Sequence, residues 1–477
     1  MLTTIGLEVH AQLNSKTKIF CGCEIKFGSP PNSQTCPVCL GLPGVLPVLN
    51  RRVFDLGLRA VLALHGTVSK TIKFDRKNYY YPDLPKGYQI SQYDSPLGKG
   101  GLIELDSGKK VRLNRAHLEE DAGKLIHDQS PNKSLVDLNR AGTPLLEIVS
   151  EPDLGSSDEA YEYLSHLKAV LKAIGVSACD MEKGHLRCDA NVSVRKSDGD
   201  ALGKKVEIKN LNSFKAVKAA IEFEVQRQTE AVEKGETLVQ ETRLWDDERQ
   251  KTFSMRSKEE AHDYRYFPEP DLVPFTVSDE EIKKEREALS KLELPRQKKE
   301  RFVSQYGLSS YDADLLTQDE FVSCLFTDTA GKVSKDKYKE VANWIIGAGF
   351  QYASAHATPL EATKINSDNL AKMIGLVAEG KVSLQIAKDK IFNEVVEKGF
   401  DPERVLKEKG LEQVSDDGAL LGWIAEVVAD NPKVVGDFKS GKETAAMFLV
   451  GQVMKKSQGK ANPVKVRELM IQKLKTP

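Results

Sequence analysis

The chain has 477 residues, 40% of them hydrophobic and 29% charged, with 69 lysines and arginines against 70 aspartates and glutamates. That length exceeds a single core at roughly 100–200 residues per domain. The near-even charge excludes binding of nucleic acid by bulk positive charge, and no apolar run approaches the ~20 residues of a membrane helix.

Met1–Gly6 leads straight into strand-like sequence without a basic or apolar leader, so the expected location is the cytoplasm, or an organellar matrix after removal of a leader. In Ile5–Leu13 the odd positions are apolar and Glu8, His10 and Gln12 share the other face of a period-two strand. Four of the seven cysteines follow as Cys21, Cys23, Cys36 and Cys39. Two close thiol pairs match a tetrahedral zinc ion, and four ligands leave no open position, so the zinc is expected to be structural and to staple the loop 20–40.

His117–Lys124 carries Glu119, Glu120 and Asp121, and Glu147 interrupts the apolar strand Leu145–Val149. A carboxylate in such a run is costly to bury unless it is paired or metal-bound, which makes Glu147 the sharpest single candidate. Glu119, Glu147 and a histidine could supply part of a magnesium shell. The next predicted strand, Arg187–Arg195, alternates to put Arg187, Asp189, Asn191, Ser193 and Arg195 on one side, and Val206–Lys209 does the same with Glu207 and Lys209. One-sided alternation of this kind predicts an antiparallel sheet with one packed and one polar face. These faces fit plain solvation, but their His, Asp, Asn and Arg are also the types that hold metals and phosphates.

Phosphate-binding options lie in Asp75–Asn78, Asp137–Arg140, Lys209–Ser213 and Glu241–Arg243, with Arg187, Lys209 and Arg243 among the cations. Gly375–Lys381 and Gly436–Lys442 have the spacing of a P-loop, but Val382 and Glu443 stand where Ser or Thr would meet magnesium. After Pro295 the sequence turns helical, with Ser367, Asp401-Pro402, Ser415 and Asn462-Pro463 as helix starts. Three domains are expected: a strand-rich 1–294, a helical 295–408, and a helical tail 409–477. From Asn431 onward the tail holds ten Lys/Arg against three Asp/Glu, a pattern that fits either an RNA-facing patch or a solvated helix face.

Taken in order, Ile5–His10, Thr35–Pro47, Phe74–Tyr81, His117–Lys124, Asp137–Asp153, Arg187–Arg195, Glu207–Phe214, Asp263–Asp271 and Phe448–Gln452 resemble the B subunits of the glutamyl/aspartyl-tRNA amidotransferases from end to end. The resemblance implies an α+β protein: an antiparallel-sheet cradle like the glutamine synthetase and guanidino kinase catalytic fold, then helical domains. It implies transfer of the ATP γ-phosphate to the side-chain carboxylate of Glu-tRNA(Gln) or Asp-tRNA(Asn), followed by attack of ammonia. An amidase-type glutaminase, the A subunit in this family, would supply the ammonia; its Gly-Gly-Ser-Ser signature is missing from this chain. The small C subunit would complete a heterotrimer. Motif by motif, one magnesium falls on His10, Glu119 and Glu147 and a second near Glu8 and Asp189. These five would form the catalytic set, with Lys77 and Lys86 on the ammonia path and the tail against tRNA. A non-catalytic tRNA-binding scaffold and a free-standing small-molecule kinase or amide ligase also fit the residues; loss of magnesium-dependent phosphorylation on changing Glu119 or Glu147, with tRNA binding intact, discriminates against the first, and dependence on aminoacyl-tRNA against the second.

Overall fold

A computed structural model of the chain describes residues 1–127, 133–257, 264–414, 416–440, 442 and 444–475, so Asp263, Ser415 and Glu443 lie outside the described residues. The chain divides into two compact units, Met1–Pro295 and Arg296–Pro477.

The first unit is built on a ten-stranded sheet. Its long strands are β1 (Leu2–Gln12), β2 (Lys110–Glu120), β3 (Pro144–Ser150), β4 (Leu186–Arg195), β5 (Val206–Leu211), β6 (Glu241–Asp246) and β7 (Lys251–Ser257), in the spatial order β7-β6-β5-β4-β1-β3-β2. Beyond β2 lie the short strands Gly98–Lys99 and Thr67–Val68, while Leu102–Glu104 also pairs with β2. The expectation of a wholly antiparallel sheet is corrected at one place: β5 and β6 run parallel, with Glu207 opposite Thr242 and Ile208 opposite Arg243. The helix Phe214–Glu233 between them provides the crossover that a parallel pair requires.

Alternation in β1 sends Ile5, Leu7, Val9 and Ala11 into the core, none more than 1% exposed. Three helices cover that face: α1 (Arg51–Ala63), α2 (Ser157–Ala173) and α3 (Phe214–Glu233). Each starts on a polar cap, with Asn50, Ser156 and Ser213 accepting from Arg52, Glu159 and Ala216 backbone N–H groups. The other face of the sheet is left to polar side chains.

The second unit is helical and holds two separate apolar clusters, Phe302 to Leu411 and Leu420 to Leu474. Asp401 caps Pro402–Glu408 with proline at the first turn, and Asn462 caps Pro463–Lys475. Two expected starts are corrected: Asn366, not Ser367, caps Ser367–Ala378, and Asp416 caps Asp417–Asp430. No helix among the described residues is long and apolar enough to cross a membrane.

Gly98 lies directly on α1. A Cβ there would overlap Val61 Cγ1 and come within 2.7 Å of Cγ2. Val61 is buried, and its branched side chain is stiff about χ1 and cannot swing aside. Gly98→Ala is therefore expected to cost about 1–3 kcal/mol in urea unfolding, and adding Val61→Ala to cost less than the sum of the two single changes.

Candidate active site

Strand pairing lines up one transverse row on the polar face. Arg187 of β4 stands opposite His10 of β1, His10 opposite Glu147 of β3, and Glu147 opposite His117 of β2. Neighbours on one sheet face lie within about 5 Å at Cβ, so the register itself brings these side chains together. Glu119, two residues beyond His117, joins the same face. His10 Nε2 lies 3.1 Å from Glu147 Oε2 and 3.5 Å from Glu119 Oε1, and His117 Nε2 is 3.6 Å from each carboxylate. Ser91 Oγ donates to Glu119 Oε2 at 3.1 Å.

Burial works against ionisation of both carboxylates. Hydrogen bonding and positive charge from His117 and His10 outweigh it, with Lys77 adding its charge at Glu147, and hold both below the ordinary range. Burial likewise opposes charging of His10, but the hydrogen bond with Glu147 and the two carboxylate charges raise it to about 9. His10, Glu119 and Glu147 each offer a ligand atom within 4.8 Å of the others. One imidazole and two anionic oxygens, on a partly open face, suit a hard divalent cation that retains waters. His117 Nδ1, Arg187 Nε and Asn191 Oδ1 are buried without a hydrogen-bond partner among the described residues, as expected of a surface shaped to meet a further polar group.

The second row is Asp189 opposite Glu8. Asn191 Nδ2 donates to Glu8 Oε1 at 2.9 Å, and Lys209 Nζ donates to Asp189 Oδ2 at 2.5 Å. Burial disfavours the Lys209 charge, yet Asp189 and Glu207 raise its pKa above the usual value. Arg187 is aimed by Asp121, its Nη2 lying 2.6 Å from Asp121 Oδ2. Lys77 Nζ sits 4.8 Å from the Tyr264 ring and 5.9 Å from the Tyr79 ring; burial opposes its charge, but Tyr266, Glu119 and Glu147 outweigh it. Beside Glu8 and Asn191 opens a cavity of about 420 Å³, lined also by Thr4, Gly6, Ser193 and Lys204.

Two sequence candidates are not in this group. Lys86 is ion-paired with Glu120 and lines a smaller cavity with Cys21 and Cys39. Arg243 stands opposite Ile208 in the β5–β6 register and so shares its helix-covered face. There it donates to Thr252 Oγ1 at 2.8 Å and Glu241 Oε1 at 2.7 Å, and lies 3.6 Å from the fully buried Glu224 of α3. His117 is the site residue that the sequence did not single out; its position two residues before Glu119 on a strand was the available signal.

Cys21, Cys23, Cys36 and Cys39 offer sulfurs within 4.8 Å of one another, a set that fits a structural zinc ion. Cys36 and Cys39 lie on the short turn Pro37–Leu40 and its cap, which Gly41 closes with φ of 69°. Of the tail lysines, Lys456 pairs with Glu426 at 2.5 Å and Lys465 with Asp417 at 3.4 Å.

Residues 3–283 match the family model described as the GatB/GatE catalytic domain, and residues 325–474 match the GatB domain. The chain is 51% identical over 476 residues to the aspartyl/glutamyl-tRNA(Asn/Gln) amidotransferase B subunit of Carboxydothermus hydrogenoformans, with 98% of each chain covered. It is 50% identical over 473 residues to the protein of that name from Myxococcus xanthus, again with 98% of each covered, and 48% identical over 474 residues to that of Persephonella marina, with 99% of each covered.

Arg243 closes a buried ion network. Arg243→Met should therefore lower stability by about 2–4 kcal/mol in chemical denaturation, since it leaves Glu224 with less compensation; unchanged stability would return Arg243 to the set of ligand-binding cations.

Proposed function

The chain belongs to the family of B subunits of the aspartyl/glutamyl-tRNA(Asn/Gln) amidotransferases, and from that premise we propose that its polar sheet face activates the side-chain carboxylate of mischarged Glu-tRNA(Gln) or Asp-tRNA(Asn) with ATP. The observation that carries the reading is the His10–Glu119–Glu147 cluster. It concentrates hard ligands where a phosphate-transfer site needs them and a scaffold does not. In this reading His10, Glu119 and Glu147 hold one magnesium ion, and Glu8 and Asp189 help to hold a second. Bound there, magnesium would neutralise charge on the transferred phosphoryl group and orient its oxygens.

The chain's own residues supply the rest. Arg187, fixed by Asp121, presents its guanidinium beside the cluster, where it can grip phosphate oxygens in a fork. Lys209 balances Asp189 and stands ready to follow the phosphates. The cavity beside Glu8 is of a size to receive the nucleoside. Lys77, walled by tyrosines and near both carboxylates, carries positive charge to the side where the substrate carboxylate would lie. Because an acyl phosphate has a good leaving group and ammonia is a small neutral nucleophile, no covalent protein nucleophile is required.

In this proposal a glutaminase of the amidase type and a small third chain complete the heterotrimer, with ammonia passing Lys86 and Glu120. The cradle 1–294, resembling the glutamine synthetase and guanidino kinase catalytic fold, carries the chemistry. The helical domain 295–408 leads to the tail 409–477, whose basic side chains meet the body of the tRNA in the cytoplasm.

The test is transfer of labelled γ-phosphate to glutamyl-tRNA by the reconstituted complex, with free ammonium in place of glutamine. Glu147→Gln is expected to lower transfer and amide formation together by about 10³-fold, the equivalent of roughly 4 kcal/mol of lost charge stabilisation, while tRNA binding holds. Undiminished transfer would favour a scaffold.

A further inference from the structure

Lys18 has no solvent exposure at all. A buried ammonium is tolerated when its protons are satisfied and an opposite charge lies near. The three donors of Lys18 Nζ are taken: by Gln34 O at 2.8 Å, Leu138 O at 3.5 Å and Cys39 Sγ at 3.6 Å. None of these is a carboxylate, and among the described residues Lys18 forms no salt bridge with one. Glu120, the acidic group on that side, is already paired with Lys86. The source of negative charge that Lys18 meets directly is the cysteine group, through Cys39.

Four thiolates on a divalent ion carry a net double negative charge, which in a half-buried loop calls for compensation. The loop is also clasped to one neighbouring segment. Asn32 N donates to Asp137 Oδ1 at 3.1 Å and Asn32 Nδ2 to Val136 O at 2.9 Å, Leu138 N donates to Asn32 Oδ1 at 2.8 Å, and Gln34 N donates to Asn139 Oδ1 at 2.8 Å. Next in the chain is Arg140, whose Nε lies 3.3 Å from Asp121 Oδ2, the same oxygen that aims Arg187 at His10's row.

We infer that Lys18 is the built-in counter-ion of the four-thiolate metal site, and the strut through which metal binding there holds the segment Val136–Arg140 in place. Lys18 is thus a positioning residue: it touches neither substrate nor reacting atoms. The inference rests on the reading that the four thiols hold a metal ion, and the test separates the two.

Metal content of the purified complex is measured first; a wild-type chain without bound metal overturns the thiol-site reading and this inference together. With metal present, Lys18→Met, close in length but uncharged, is compared with wild type for release of zinc to a chromogenic chelator. Release is expected to be about 10- to 100-fold faster in the variant. Cobalt loaded in place of zinc should show its sulfur-to-metal charge-transfer band at lower energy once the ammonium is gone. Equal release rates and an unmoved band would overturn the proposal.

Should Lys18→Met fail to fold, the wild-type complex is treated with acetic anhydride before and after chelation of its metal. Lys18 is expected to be unreactive when loaded and to be acetylated at the rate of exposed lysines when stripped. Continued protection after stripping would show that packing alone holds it, which overturns the proposal.

Discussion

Two carboxylates, Glu119 and Glu147, with ligand atoms within 4.8 Å of one another on a largely dehydrated sheet face, are the constraint around which the first unit is arranged. Ionised together at that range they repel by roughly 3–4 kcal/mol at an effective dielectric near 20. The surroundings are organised to offset this. His10 lies between them, lifted to about 9, and His117 backs both. Lys77 adds charge from one side and Arg187 stands on the other side of His10. In the proposed function His10, Glu119 and Glu147 would hold a divalent ion, whose charge would add to this compensation. The helices α1 to α3 matter to the cluster indirectly. By filling the opposite face with apolar side chains they fix the strand register, and a slip of one residue would turn every site group into the core.

That dependence on register explains what was legible in the sequence. Alternation in Ile5–Leu13 and Arg187–Arg195 put Glu8, His10, Arg187, Asp189 and Asn191 on one face, and pairing then brings Glu8 to Asp189 and His10 to Arg187. Glu147 was legible because an acidic residue inside Leu145–Val149 is an energetic anomaly. Arg243 was not, because its face depends on the register in which its strand pairs with β5, and a short alternating pattern does not carry that information. Likewise, Lys18 has no signature as a buried lysine; it is buried by contacts with Gln34 and Leu138, far from it in sequence. Ser367 and Asn366 are both good caps, and only backbone geometry chooses between them.

A phosphate-handling site on the face of a sheet has a different electrostatic problem from one at a P-loop. A P-loop meets phosphate with unpaired backbone N–H groups and the positive end of a helix. Strands inside a sheet have already committed those groups to one another, and the dipoles of a sheet nearly cancel. Positive charge must therefore come from side chains and bound cations. The polar face here carries that stock in a graded order across β5, β4, β1, β3 and β2: Lys209, Asp189 with Arg187, Glu8 with His10, Glu147, then His117 with Glu119. The guanidinium and ammonium groups lie together at the β4–β5 end, and the histidines stand among the carboxylates from β1 to β2. In the proposed reaction this order would hold a cation over the carboxylates and receive phosphate oxygens on the Arg187 and Lys209 side.

Long side chains acting in place of backbone donors bring an entropic cost, because each must be held in one rotamer to be useful. Here each site cation is held. Asp121 fixes Arg187, Asp189 fixes Lys209, and a tyrosine pair walls Lys77. Asp121 is in turn shared with Arg140, at the end of the segment clasped by the cysteine loop. A loop that contributes no group to the row thus bears on the aim of one that does. Sheet-borne phosphate sites of this type should depend on such remote anchoring more than P-loops do, since a backbone cradle is its own anchor and a side-chain cradle is not.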